Sequence, residues 1–212
     1  MIHGIDISHH NKNMKDLKDL LKYDFIIMKV SEGMGFRDNA VSLYMNVLKD
    51  KPVGFYHFAR PEINSDPKVE ARNFINAIIP YLKYNPVLAL DVEARALDVP
   101  FVGKWSKDFC KYVFDNTGIL PLIYCSASST KLFKDCVDFG CGLWVAKWSK
   151  IGPTKKEIRP WDFWAIWQYT SSGICSGVRV DLNYFNGTVE QFKKYGEVNH
   201  GQRNTITDNT TT

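Results

Sequence analysis

Two carboxylates two residues apart, Asp91 and Glu93, close the most apolar run of the chain, which contains Leu88-Ala89-Leu90. In an extended strand residues i and i+2 point to one face, which sets their Cα atoms about 6.6 Å apart. Carboxyls crowded at the end of an apolar strand repel one another and lose hydration, and both effects raise a carboxyl pKa. A carboxyl that keeps its proton near neutral pH is what the acid step of glycoside hydrolysis needs. The spacing suits retaining and inverting geometry alike. Alone, an Asp-x-Glu pair also fits a metal ligand or a solvated strand end. Two more acids, Asp6 in Gly4-Ile5-Asp6-Ile7-Ser8 and Asp181 in Val180-Asp181-Leu182-Asn183, lie in other strand-like runs and favour catalysis.

Polar and aromatic residues recur at the other strand-like runs. They are Lys29-Val30-Ser31-Glu32-Gly33, Tyr56-His57-Phe58, Tyr124-Cys125-Ser126, Trp144-Val145-Ala146-Lys147-Trp148 and Trp167-Gln168-Tyr169. Flat rings stack on sugar faces while polar tips bond hydroxyls, so the set reads as a carbohydrate cleft. Glu32, Tyr56, His57, Tyr124, Trp148 and Gln168 are the expected substrate contacts. His57 fits a second acid/base group or a structural hydrogen bonder. His9-His10 lies outside any HExxH arrangement, and no G-x-G-x-x-G or phosphate-binding loop occurs, so no metal and no cofactor is expected.

The elements that must position these residues alternate. Strands are predicted at Ile2–Ile7, Phe25–Val30, Pro52–Phe58, Pro86–Val92 and Pro121–Cys125. Between them run helical patterns: Met14, Leu17, Leu20 and Leu21; Ala40, Val41, Tyr44, Val47 and Leu48; Ala71, Phe74, Ile75, Ile78 and Ile79; Trp105, Phe109, Tyr112 and Val113. Ser65 or Asp66 caps the third of these, with Pro67 at its first position, and Gly118 closes the fourth. Three further strands, Leu143–Trp148, Phe163–Tyr169 and Val178–Tyr184, are joined by long loops poor in helical signal, before a short helix at Thr188–Tyr195. The pattern is α/β with strands buried on both faces. Eight strands with about five helices fit an irregular (β/α) barrel whose last three strands lack regular helices. A doubly wound open sheet is the alternative, and in a barrel the acids would meet at the C-terminal strand ends.

Composition bounds the rest. Residues 1–196 suffice for one barrel domain, and the polar, Asn/Thr-rich segment 197–212 reads as a disordered tail. A net charge of +4, with no basic block or stripe, argues against a nucleic-acid partner. No run reaches the roughly 18 apolar residues of a membrane helix, so no membrane insertion is expected, and a monomer is. Five cysteines without CxxC spacing are expected to be buried and reduced, a Cys136–Cys141 bridge having no support. The N-terminus lacks a basic segment followed by a long apolar run, so cytoplasmic synthesis without a signal peptide is expected, any later export needing another route.

Taken in order and spacing, these blocks, with Leu122-Ile123-Tyr124 and Leu143-Trp144-Val145-Ala146, resemble glycoside hydrolase family 25, the Chalaropsis-type lysozymes, from Gly4 to about Gly187. The resemblance implies an irregular eight-stranded barrel that hydrolyses the β-1,4 bond between N-acetylmuramic acid and N-acetylglucosamine of peptidoglycan. It places Glu93 on the proton donor, Asp91 on the residue that assists the substrate's own N-acetyl group or acts as nucleophile, and Asp6 and Asp181 on two further active-site acids. Tyr56, Tyr124 and Gln168 fall on saccharide contacts. Action on the bacterial cell wall is what the resemblance implies, and the expected synthesis without a signal peptide fits a phage endolysin, with holin-type or other non-classical release. The rival readings are a chitinase-like hydrolase of another N-acetylhexosamine glycan and a non-catalytic glycan-binding module. The chain departs from the family at His9-His10-Asn11-Lys12, where many relatives carry Gln-Gly, and it lacks wall-binding repeats.

Overall fold

The structure, a computed structural model, describes residues 1–198; the expected tail falls almost wholly outside the described residues. Nine strands form one sheet: β1 (Ile2–Ile7), β2 (Phe25–Glu32), β3 (Phe36–Arg37), β4 (Val53–Phe58), β5 (Val87–Asp91), β6 (Leu122–Ser126), β7 (Leu143–Ala146), β8 (Ile166–Cys175) and β9 (Val178–Phe185). Their order is β1-β9-β8-β7-β6-β5-β4-β2-β3, and β1 also pairs with β2. That extra pairing closes eight strands into a barrel, with β3 a two-residue appendage of β2. The open doubly wound sheet is thereby excluded. Pairings from β1 through β8 around the barrel are parallel, whereas β9 runs antiparallel to both its neighbours, making the barrel mixed.

Alternation within the strands builds the interior in layers. At the closed end Phe25, Ile27, Val87, Ala89, Leu122, Ile166 and Phe185 point inward and form a compact apolar cluster. The short helix α5 (Val189–Lys194) plugs this end, its Phe192 ring 4.7 Å from Phe25 and 5.3 Å from Phe185. Gly4 is required here, because a Cβ at that position would sit 2.3 Å from the Phe25 ring. Two residues further toward the mouth, the same inward positions become Asp6, Lys29, Asp91, Tyr124, Gln168 and Asn183. An apolar floor thus carries a polar layer on the same strands.

The outward faces of the strands pack against helices α2 (Pro67–Ile78) and α3 (Val102–Thr117). Asp66 caps α2 through Lys68 N, Pro67 opens it, and Gly118 ends α3 at φ 75°, as their start and stop residues predict. Two predicted helices are shorter than their periodicity suggested. The Met14–Leu21 pattern folds as a 3-10 helix at Leu17–Lys22, and the Ala40–Leu48 pattern gives only α1 (Val41–Met45). A further short helix, α4 (Lys134–Asp138), precedes β7. Among the described residues no α-helix covers β7, β8 and β9 on the outside: segment 147–165 is irregular, and β8 and β9 form a hairpin around Ser176-Gly177 at φ 48° and 82°. All five cysteines are buried with free thiols, and Cys136 and Cys141 are not bridged.

Candidate active site

The mouth of the barrel holds a cleft of about 440 Å³ lined by Asp6, Asp91, Glu93 and Asp181 together with Tyr56, Tyr124, Trp148 and Gln168. All four acids and four of the six expected contacts therefore meet in one place. Asp91 is the last residue of β5, and Glu93 lies beyond the strand at φ −146° and ψ −177°, where extended backbone keeps it turned to the same side. The next residue, Ala94, is left-handed at φ 51°, a local strain of about 1 kcal/mol stored beside Glu93.

Asp181 reaches the mouth by a different route from the one its sequence position suggested. It is not at a C-terminal strand end. Because β9 is antiparallel, its first half lies at the open end, where Asp181 pairs directly with Asp6 across β1. Like charges directly opposite one another are unfavourable, and two amides relieve them. Gln168 Nε2 donates to Asp6 Oδ2 at 3.0 Å and to Asp181 Oδ2 at 3.5 Å; Asn183 Nδ2 donates to Asp6 Oδ2 at 2.7 Å. The carbonyl of Gln168 in turn accepts from Tyr124 Oη at 3.0 Å and Trp148 Nε1 at 3.1 Å. Gln168 thereby ties two acids and two aromatic side chains into one frame.

Every acid of the cleft has a raised pKa. Burial is the largest cause for Asp91, which is pushed well above the carboxylate range, with Glu93 and Asp6 adding repulsion. Its Oδ1 is buried without a hydrogen-bond partner. Glu93 is raised by burial and then by Asp181, and Lys29 opposes both. Burial also raises Asp181, against Arg179. Asp6 is pushed up to about 7, by burial first and Asp181 second, against its two amide donors.

The Asp6 shift carries a stability prediction. A folded-state pKa above the unfolded value means that the folded chain holds this proton more tightly, so stability is lost as pH rises from about 4 to about 7. Asp6→Asn keeps an acceptor for Gln168 and Asn183 but removes the charge. It should stabilise the protein on the order of 2 kcal/mol near pH 8 and change little near pH 4, read by urea unfolding at both values. Destabilisation near pH 8 would contradict this account.

Two expected contacts lie elsewhere. His57 points outward on β4, is fully buried between barrel and helices, and bonds Glu70 Oε2 at 2.9 Å and Ser31 Oγ at 2.8 Å. It is a structural histidine and does not line the cleft. Glu32 sits at the rim and pairs with Lys29 and Arg60, both at 2.6 Å, so it reaches the cleft only through Lys29. Conversely, Lys29 and Arg179 line the cleft without having been expected there. The signal for Lys29 was present: it is a lone charge inside the apolar run Phe25–Val30. Asn183 was signalled too, two residues from Asp181 on the same face. Among the described residues no group of three or more His, Cys, Asp or Glu is arranged to hold a metal ion.

A mostly parallel barrel that gathers carboxyls and sugar-sized aromatic surfaces at its open end has the architecture of a barrel glycoside hydrolase. The sequence places it more closely: residues 5–178 match glycosyl hydrolases family 25, and the chain belongs to that family. The muramidase of Acremonium alcalophilum superposes with a TM-score of 0.77 at 26% identity, over 92% of this chain and 99% of that one. Lysozyme M1 of Streptomyces globisporus is 29% identical over 208 residues, 88% of this chain and 68% of that protein. An uncharacterized protein of Escherichia coli K12, YegX, is 27% identical over 207 residues, 92% of this chain and 73% of its own length.

Proposed function

We propose that this protein is a 1,4-β-N-acetylmuramidase, cutting the bond between N-acetylmuramic acid and N-acetylglucosamine in bacterial peptidoglycan. The observation that carries the reading is the convergence of Asp6, Asp91, Glu93 and Asp181 in one aromatic-walled cleft, each with a raised pKa. The family and its lysozyme relatives support the choice of glycan.

Glu93, half-buried and on the open side, donates its proton to the glycosidic oxygen. The acetamido carbonyl of the muramic acid attacks the anomeric carbon from the opposite face, so the glycosidic bond breaks as an oxazolinium ring forms. Asp91 Oδ1, buried and unpartnered, accepts the acetamido N–H and holds that group in line. Glu93, now ionised, takes a proton from the incoming water, which opens the ring with net retention, outside the usual scheme of a carboxylate nucleophile. Asp6 and Asp181 set the local charge, and Tyr56, Tyr124, Gln168 and Trp148 hold the sugars.

The test is digestion of purified peptidoglycan by the intact protein, followed by identification of the new reducing end. Reducing N-acetylmuramic acid, with chitin oligomers left intact, is the expected outcome. Reducing N-acetylglucosamine, cleavage of chitin oligomers alone, or glycan binding without cleavage would replace this reading with one of its rivals.

A further inference from the structure

The barrel wall beside the cleft has a second groove. Because no α-helix among the described residues covers β7, β8 and β9, the outward rings of Tyr169 and Tyr184 are left half-buried, and together with the buried Trp167 they line a cavity of about 560 Å³ with Ser149 and Lys150. Trp148 borders this cavity and the active-site cleft together, and it is 66% exposed, so the two share a wall.

The rings are held in place before anything binds. Trp167 Nε1 donates to Lys147 O at 2.8 Å, Tyr169 and Tyr184 stack with centroids 4.7 Å apart and planes 22° apart, and His3 bonds the Tyr169 hydroxyl at 2.8 Å. The strand–loop bond from Ser149 N to Tyr169 O, 3.2 Å, fixes the groove's other bank. Trp148 is pinned through Gln168, the residue that also holds Asp6. Ligand binding to such a surface loses little side-chain entropy. The aromatic floor offers stacking area, while Ser149 and Thr170 offer hydroxyls at the edge. Lys150 is exposed and forms no ion pair among the described residues, so its ammonium is available to an acid.

We infer that this groove is an accessory glycan site that binds the same β-1,4 amino-sugar strand beyond the cleft, the strand passing over Trp148. The inference rests on the muramidase reading. The occupant follows from continuity: a polymer whose scissile bond lies in the cleft extends past it, and the aromatic exit over Trp148 leads into this groove. Sugar faces lie on Tyr184 and Trp148, and Lys150 meets the lactyl carboxylate of a muramic acid that carries no stem peptide. A site of this kind acts on long strands and is out of reach of short ones.

The experiment compares Tyr184→Ala and Lys150→Glu with the unaltered protein on two substrates: long glycan strands stripped of stem peptides, and a peptidoglycan tetrasaccharide. For Tyr184→Ala, kcat/KM on long strands should fall about tenfold, the loss of one good stacking contact, with the tetrasaccharide unchanged within about twofold. Lys150→Glu should follow in the same direction, and because Lys150 is exposed its effect is free of any folding defect. Equal losses on both substrates, or no loss on either, would overturn the inference. Sedimentation of the same variants with insoluble peptidoglycan reads the groove without catalysis. If the unaltered protein cleaves nothing, the muramidase reading fails by itself, while weaker sedimentation of Tyr184→Ala would still identify the groove as a glycan site.

Discussion

Glu93→Gln should lower the rate of peptidoglycan cleavage about 10³-fold, the usual weight of a positioned general acid, while leaving the fold intact. The expectation of an intact fold comes from the local structure. Glu93 precedes the 3-10 helix Ala94–Asp98, yet its side chain makes no capping bond, and its carboxyl is half-buried at the rim. Replacing one oxygen by an amide there removes a proton donor and a charge that burial and Asp181 already disfavour. Thermal unfolding should therefore be unchanged or slightly raised at alkaline pH. The alkaline limb of kcat/KM in the unaltered protein should lie above the ordinary glutamate range, since activity requires the protonated form and Glu93's pKa is raised. Near-normal lysis by Glu93→Gln would remove it from the mechanism and leave Asp91, whose pKa burial and the neighbouring acids also raise, as the proton donor.

How far the sequence showed this site depends on what each residue's strand does. Asp91 and Glu93 were legible because an apolar strand ends beneath them, and extended backbone preserves their common side. Asp6 and Gln168 were legible for the same reason, each lying two residues above an inward apolar or glycine position. Asp181 was legible as an acid in a strand, but the direction of that strand was not: the Ser176-Gly177 turn that reverses β9 is a two-residue signal between runs that looked separated by long loops. His57 illustrates the opposite difficulty. A barrel strand buried on both faces shows no polar–apolar alternation, so nothing in Gly54-Phe55-Tyr56-His57-Phe58 distinguishes the inward Tyr56 from the outward His57. Only the packing of α2 and α3 on the outer face decides it. The half-buried ring surface over β8 and β9 was equally hidden, because it depends on what fails to cover a strand.

The residue that fixes His57 as a structural hydrogen bonder and not a substrate contact is Glu70, and truncating it should be severe. Glu70 and His57 are both fully inaccessible, and Glu70 Oε2 accepts from His57 Nε2 at 2.9 Å and from the Arg60 backbone N–H at 3.0 Å. With Nε2 donating, Nδ1 is left to accept from Ser31 Oγ at 2.8 Å. Glu70→Ala would leave two buried donors without an acceptor and open a cavity, so a loss of about 4 kcal/mol is expected in urea unfolding. Glu70→Gln keeps an acceptor and should cost clearly less. The pair also gives stability a pH dependence. Burial lowers the His57 pKa more than Glu70 raises it, so the unfolded chain takes up this proton more readily. Stability is then fully present above the ordinary imidazole value of about 6.5 and falls as pH drops from there toward the lowered folded value. Activity, by contrast, should persist in whatever fraction of Glu70→Ala remains folded at low temperature, because none of the three side chains lines the cleft. A folded but inactive Glu70→Ala would show instead that the bond to Arg60 N, whose side chain clamps Glu32 and through it Lys29, is needed to hold the mouth of the barrel in its working shape.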